Sequence, residues 1–140
     1  MGTIIKQLVM VALVVVTIDA QAQNLAPTLR YFCMFSHYAS PEGVMKAKDF
    51  KLEFVLETAS GKGMMIGNQG FSKVIVVNGP YAITFLEALG TGVVQSTTIT
   101  NEGYKAVHSR HSVLGGVGLI PTQYYGECEV LEGKSPLQSK

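Results

Sequence analysis

Tryptophan is absent from the 140 residues, and Asp, Glu, Lys and Arg together make up only 15% of the chain. No run of like charge occurs, which excludes the basic footprint of nucleic-acid binders and the polybasic patch of proteins held on acidic membranes. Helical periodicity long enough for a βαβ unit is missing, which removes doubly wound α/β folds. Cysteine is limited to Cys33 and Cys128, and no Cys-x-x-Cys spacing is available for dithiol redox chemistry. Gly-x-Ser-x-Gly and His-Glu-x-x-His are also lacking, so neither a hydrolase elbow nor a zincin helix can be built.

What is present begins with an export signal. Lys6 supplies a positive start, and Leu8 to Ile18 forms an apolar run too short to span a bilayer. Ala20-Gln21-Ala22 fits the small-x-small cleavage rule, so residues 1–22 read as a signal peptide and the product begins near Gln23. No cysteine follows the cleavage site to take a lipid, and no membrane insertion is expected once the signal is removed. Eleven Lys/Arg face ten Asp/Glu, and losing Lys6 and Asp19 leaves ten against nine. A single cysteine pair behind a signal implies an oxidising compartment, periplasmic or secreted, in which Cys33 and Cys128 join. That staple ties the first strand of the product to its last and closes a loop of about 95 residues, worth about 4 to 5 kcal/mol in the chain-entropy picture.

Beyond the signal the dominant period is two. Leu52, Phe54 and Leu56 alternate with Lys51, Glu53 and Glu57, a half-buried strand. Earlier, Tyr31 to Tyr38 is a strand with Tyr31, Cys33, Phe35 and His37 on one face. Ser40-Pro41-Glu42 reads as a helix start, with Val44 to Lys48 supplying one or two turns. Further strands fall at Met64 to Gly67, Val74 to Val77, Ile83 to Leu89, Val93 to Thr100, Tyr104 to Val113 and Ile120 to Val130, punctuated by Gly- and Asn-rich turns. About eight short strands at this spacing predict an all-β antiparallel meander over residues 23–132, closing as a barrel because the cysteines join its ends, with a two-sheet sandwich as the alternative. Residues 133–140 are polar and predicted to be a flexible tail.

Candidate chemistry is sparse. His108 and His111 are three apart, so a strand sends them to opposite faces and one metal ion cannot take both. They read as polar side chains on a solvated strand. Ser109 or Ser112 with a histidine and Asp49 lacks a nucleophile elbow, and Glu53, Glu57 and Glu87 read as outward, solubilising carboxylates rather than a glycosidase pair. No catalytic residue, metal or cofactor is expected. Gly115-Gly116-Val117-Gly118 has no following helix or lysine and reads as a hairpin loop, not a phosphate cradle. Tyr124 and Tyr125 must face opposite ways, one inward and one outward to anchor a partner. Tyr125, Arg110, Gly115, Gly116 and Gly118 are therefore candidate contacts for a protein partner. Should the barrel be hollow, Phe54, Leu56, Met64, Met65 and Phe85 are candidates to line a site for a small apolar ligand.

Tyr31-Phe32-Cys33 on an early strand and a closing Tyr124-Tyr125-Gly126-Glu127-Cys128 resemble small exported bacterial β-proteins that carry no established activity. In size, export and terminal disulfide the chain is also similar to periplasmic barrel inhibitors of lysozyme or secreted proteases. Of the inhibitors' Lys-Gly-x-x-Ala-x-Leu loop only Lys62-Gly63 is matched. A stapled scaffold with glycine-rich loops and no catalytic set is expected to be a non-catalytic, protein-binding or inhibitor-like module, for which those inhibitors are an analogy of fold; a lipocalin-type carrier of a small lipophile is the alternative expectation.

Overall fold

A computed structural model of the chain describes residues 26–68, 70–115 and 118–134. The signal segment 1–22, Gly116 and residues 135–140 of the expected tail lie outside the described residues. Eight antiparallel strands run in sequence order around a closed barrel: β1 (Pro27–Ser40), β2 (Gly43–Glu57), β3 (Lys62–Gly67), β4 (Gly70–Asn78), β5 (Ala82–Ala88), β6 (Val94–Thr100), β7 (Lys105–Leu114) and β8 (Gly118–Lys134). Closure comes from β1 pairing with β8, in register from Pro27↔Lys134 to Ala39↔Gln123. Cys33 and Cys128 are direct partners in that register and form a disulfide. Gly133 and Lys134, which composition places in the tail, extend β8 opposite Thr28 and Pro27.

The period of two delivers the core. Phe54 and Phe85 stack at 4.5 Å between ring centroids, Tyr31 meets Phe85 edge-on at 5.5 Å, and Leu56, Ile83, Ile99 and Ala106 are buried around them. Such aromatic pairs gain about 0.5 to 1.5 kcal/mol beyond the area they bury. An eight-stranded barrel is just wide enough for side chains to fill, and here they do so through its middle.

Two expectations for the first hairpin are corrected. Ser40-Pro41-Glu42 starts no helix: Pro41 and Glu42 are the turn between β1 and β2, the Glu42 amide donates to Ser40 Oγ at 3.3 Å, and Gly43 follows at φ +123°. Val44, Met45 and Lys46 pair with Ala39, Tyr38 and His37, so ladder hydrogen bonds override the local cap signal. The second correction concerns His37. A register shift between Phe35 and His37 breaks the alternation, leaving His37 exposed and placing the Tyr38 ring 5.4 Å from Tyr124. Across from that bulge Asp49 takes φ +51°, a left-handed conformation that Asp tolerates better than most residues.

The barrel's two ends differ. At one, loops 79–81 and 101–104 are stitched together by the Asn101 side-chain amide, which donates to the Gly79 and Pro80 carbonyls, and loop 58–61 is tied to the start of β1 by Thr58, which donates through both its amide and hydroxyl to the Pro27 carbonyl. At the other, the β1–β2, β3–β4, β5–β6 and β7–β8 hairpins form a mouth with an uneven rim. β3 pairs with β2 only over Glu53 to Glu57, and β6 reaches β7 only as far as Arg110. The first and last hairpins therefore stand above the others as a lip.

Candidate functional site

Above the stacked Phe54 and Phe85, the mouth holds a cup of about 340 Å³ with two unlike walls. One wall is apolar, from Phe50 and Leu52 on β2 and Met65 on β3. The other is polar and follows from strand register. Glu87 on β5 lies opposite Gln95 on β6, which lies opposite Arg110 on β7. One row deeper, Phe85, Thr97, His108 and Tyr124 are successive partners across β5 to β8.

Each polar group has a defined setting. The Gln95 side-chain amide donates to Glu87 Oε2, and Glu87 is 8% exposed. His108 is 2% exposed, and its Nδ1 shares a 2.8 Å hydrogen bond with the Thr97 hydroxyl. Burial, with Arg110 adding to it and Glu87 opposing, pushes the imidazole down to about 4, so it is neutral near pH 7. Rings surround it: Phe50 at 5.4 Å, Phe35 at 5.9 Å and Tyr124 at 5.9 Å. No fully buried side-chain nitrogen or oxygen among the described residues lacks a partner. Buried polar residues in an otherwise apolar interior are the informative exception in a barrel of this size.

Two sequence expectations are overturned here. Glu87 is an inward, buried carboxylate rather than outward solubilising charge, because it keeps the parity of Ile83 and Phe85 along β5. His108 is an interior residue rather than part of a solvated strand, whereas His111 is exposed. Sequence reasoning missed Gln95 and Thr97 altogether. Their signal was parity with the buried Ile99, unreadable until the inward face of β6 was known.

The remaining candidates separate by face. Phe54, Leu56, Met65 and Phe85 point inward and are packed, with Met65 alone among them reaching the cup. Met64 is corrected as an interior-lining residue: next to Met65, it lies on the outer surface in a groove with Val55 and Lys73. Tyr125 is outward and 40% exposed, its hydroxyl donating to Gln123, while Tyr124 joins the aromatic cluster with its ring 4.3 Å from Phe50. Arg110 borders the cup, and Gly115 and Gly118 flank the tip of the β7–β8 hairpin. Ser109 faces outward toward Gln123, and Asp49 is exposed at the bulge, so neither meets His108. Among the described residues no three of His, Cys, Asp and Glu are grouped to hold a metal ion.

The cup thus combines one apolar wall with a hydrogen-bonded acid and an arginine. Comparisons with protein families, with curated proteins and with solved structures find no match to this chain.

Proposed function

We propose that the chain is an exported, non-catalytic binding module that engages a protein partner with the open end of its barrel, as an inhibitor does. One observation carries this reading: all four hairpins at that end present exposed apolar side chains. Val44 on the first, Phe71 on the second, Val94 on the third and Val113 with Leu119 on the fourth are 51–75% exposed, and Phe71 also borders the cup. Exposed apolar side chains on all four hairpins beside a polar mouth make the kind of patch that protein interfaces use. Periplasmic or secreted placement is supported by the apolar N-terminal segment and by a disulfide suited to an oxidising compartment.

The stacked Phe54 and Phe85 argue against a lipocalin-type carrier of a long lipophile, because they occupy the space its chain would need. Affinity capture tests the partner reading. Immobilised protein is to be compared with a Phe71→Asp/Leu119→Asp variant and with Tyr81→Ser at the stitched end. The expected result is a protein recovered from periplasmic extract or culture medium by wild type and Tyr81→Ser but not by the double variant. Equal recovery by all three, or by none, rejects it.

A further inference from the structure

The cup at this end of the barrel has a chemistry of its own, whether or not a protein seats on the rim. Its volume of about 340 Å³ lies at the lower end of the roughly 300–1,000 Å³ typical of small-molecule sites. The occupant is therefore a compact molecule.

The polar wall is two-signed. Arg110 forms no ion pair with an acid among the described residues, and Lys51 also borders the cup. Two strands away, Glu87 receives Gln95 on Oε2, while Oε1 has no hydrogen-bond partner among the described residues. That free oxygen is not sealed off, since no fully buried polar side-chain atom is unpartnered. Backbones two strands apart are separated by about 10 Å, and both side chains reach inward from there, so one small molecule can span the gap. His108 contributes a neutral ring between the charges, with Nδ1 already taken by Thr97.

Charge bookkeeping narrows the ligand. An anion without a positive group satisfies Arg110 but sets a second negative charge near the buried Glu87 carboxylate. A cation without a negative group faces Arg110 and Lys51. A zwitterion meets both, and its apolar portion has Phe50, Leu52 and Met65 to cover. We propose that the mouth cup binds a free α-amino acid with an apolar side chain, its carboxylate on Arg110, its ammonium on Glu87 and its side chain against the Phe50–Leu52–Met65 wall. Charge-assisted hydrogen bonds at both ends give recognition that an apolar body alone lacks.

Isothermal titration calorimetry with L-phenylalanine and L-leucine tests this directly. Phenylalanine amide and N-acetyl-phenylalanine serve as probes that each lack one charge. The expected result is saturable binding of at least one amino acid, weakened at least about tenfold by losing either charge. Arg110→Gln, on the exposed rim where folding is not at stake, is expected to weaken binding at least about tenfold and to abolish the discrimination against phenylalanine amide. Tyr125→Ser on the outer face is expected to leave binding unchanged. Should Glu87→Gln lose its fold by circular dichroism, the N-acetyl probe reports on the ammonium contact instead. The proposal is overturned if neither amino acid binds at about 10 mM, if N-acetyl-phenylalanine binds as well as phenylalanine, or if Arg110→Gln binds as wild type does.

Discussion

His108 shows how one buried side chain makes stability depend on pH. In the unfolded chain it titrates near its ordinary 6.5; in the barrel, burial and Arg110 hold it at about 4 against the upward pull of Glu87. Above pH 6.5 both states are neutral and the residue contributes no pH dependence. As pH falls from 6.5 toward 4, the unfolded chain takes a proton that the folded chain refuses, and stability drops by up to about 3 kcal/mol. Denaturant midpoints measured from pH 8 to pH 4 should therefore fall more steeply for wild type than for His108→Gln. Parallel slopes would show that the imidazole titrates normally in the folded state. The residue's burial was readable in principle: His108 shares parity with Ala106 along β7, and Glu87 shares it with Phe85 along β5. At both positions chemical type points outward and parity inward, and parity is the better guide. A closed barrel sends every second residue inward whatever its charge, and it accepts a polar one only where a neighbour such as Thr97 or Gln95 completes the hydrogen bond.

At the level of strands, the alternating pattern and the Gly- and Asn-rich turns made the meander legible, and the departures lie where backbone geometry departs from the ideal. Neither the bulge beside Ser36 nor the Pro41-Glu42 hairpin has a side-chain pattern that distinguishes it from strand or helix start. Pairing with an already formed neighbour decided both. The same bulge fixes the most constrained glycine in the barrel. A Cβ on Gly126 would overlap the Met34 carbonyl oxygen and lie 2.8 Å from Phe35 Cα, which is backbone and cannot swing aside. Gly126→Ala is expected to force β1 and β8 apart and to cost about 2 to 4 kcal/mol in chemical denaturation. Gly115→Ala, where a Cβ meets nothing within 4 Å, should stay within about 0.5 kcal/mol of wild type. A tolerated Gly126→Ala would mean that the close approach of β1 and β8 is not a requirement of closure.

For the molecule as a whole, the covalent staple and the hydrogen-bonded seam act on different states of the chain. The β1–β8 ladder holds the folded barrel shut along most of the length of β1, so removing the disulfide leaves closure intact. What the bond changes is the unfolded ensemble, by linking Cys33 to Cys128 across 95 residues. In the chain-entropy picture that constraint is worth about 4 to 5 kcal/mol, a large share of the roughly 5 to 15 kcal/mol available to a domain of this kind. Cys33→Ala with Cys128→Ala should therefore keep the β-sheet circular dichroism of wild type while its denaturation midpoint drops by an amount corresponding to several kcal/mol. Cys33 is 1% exposed while Cys128 is partly buried, so attack on the Cys33 sulfur by a thiol reagent has to wait for opening of the barrel. Reduction rates should rise with denaturant in parallel with unfolding rates. Fast reduction in native buffer would place the seam among the loosest parts of the fold. The lip raised by the first and last hairpins, and the exposed Val44, Val113 and Leu119 it carries, would then be a moving surface rather than a preformed one.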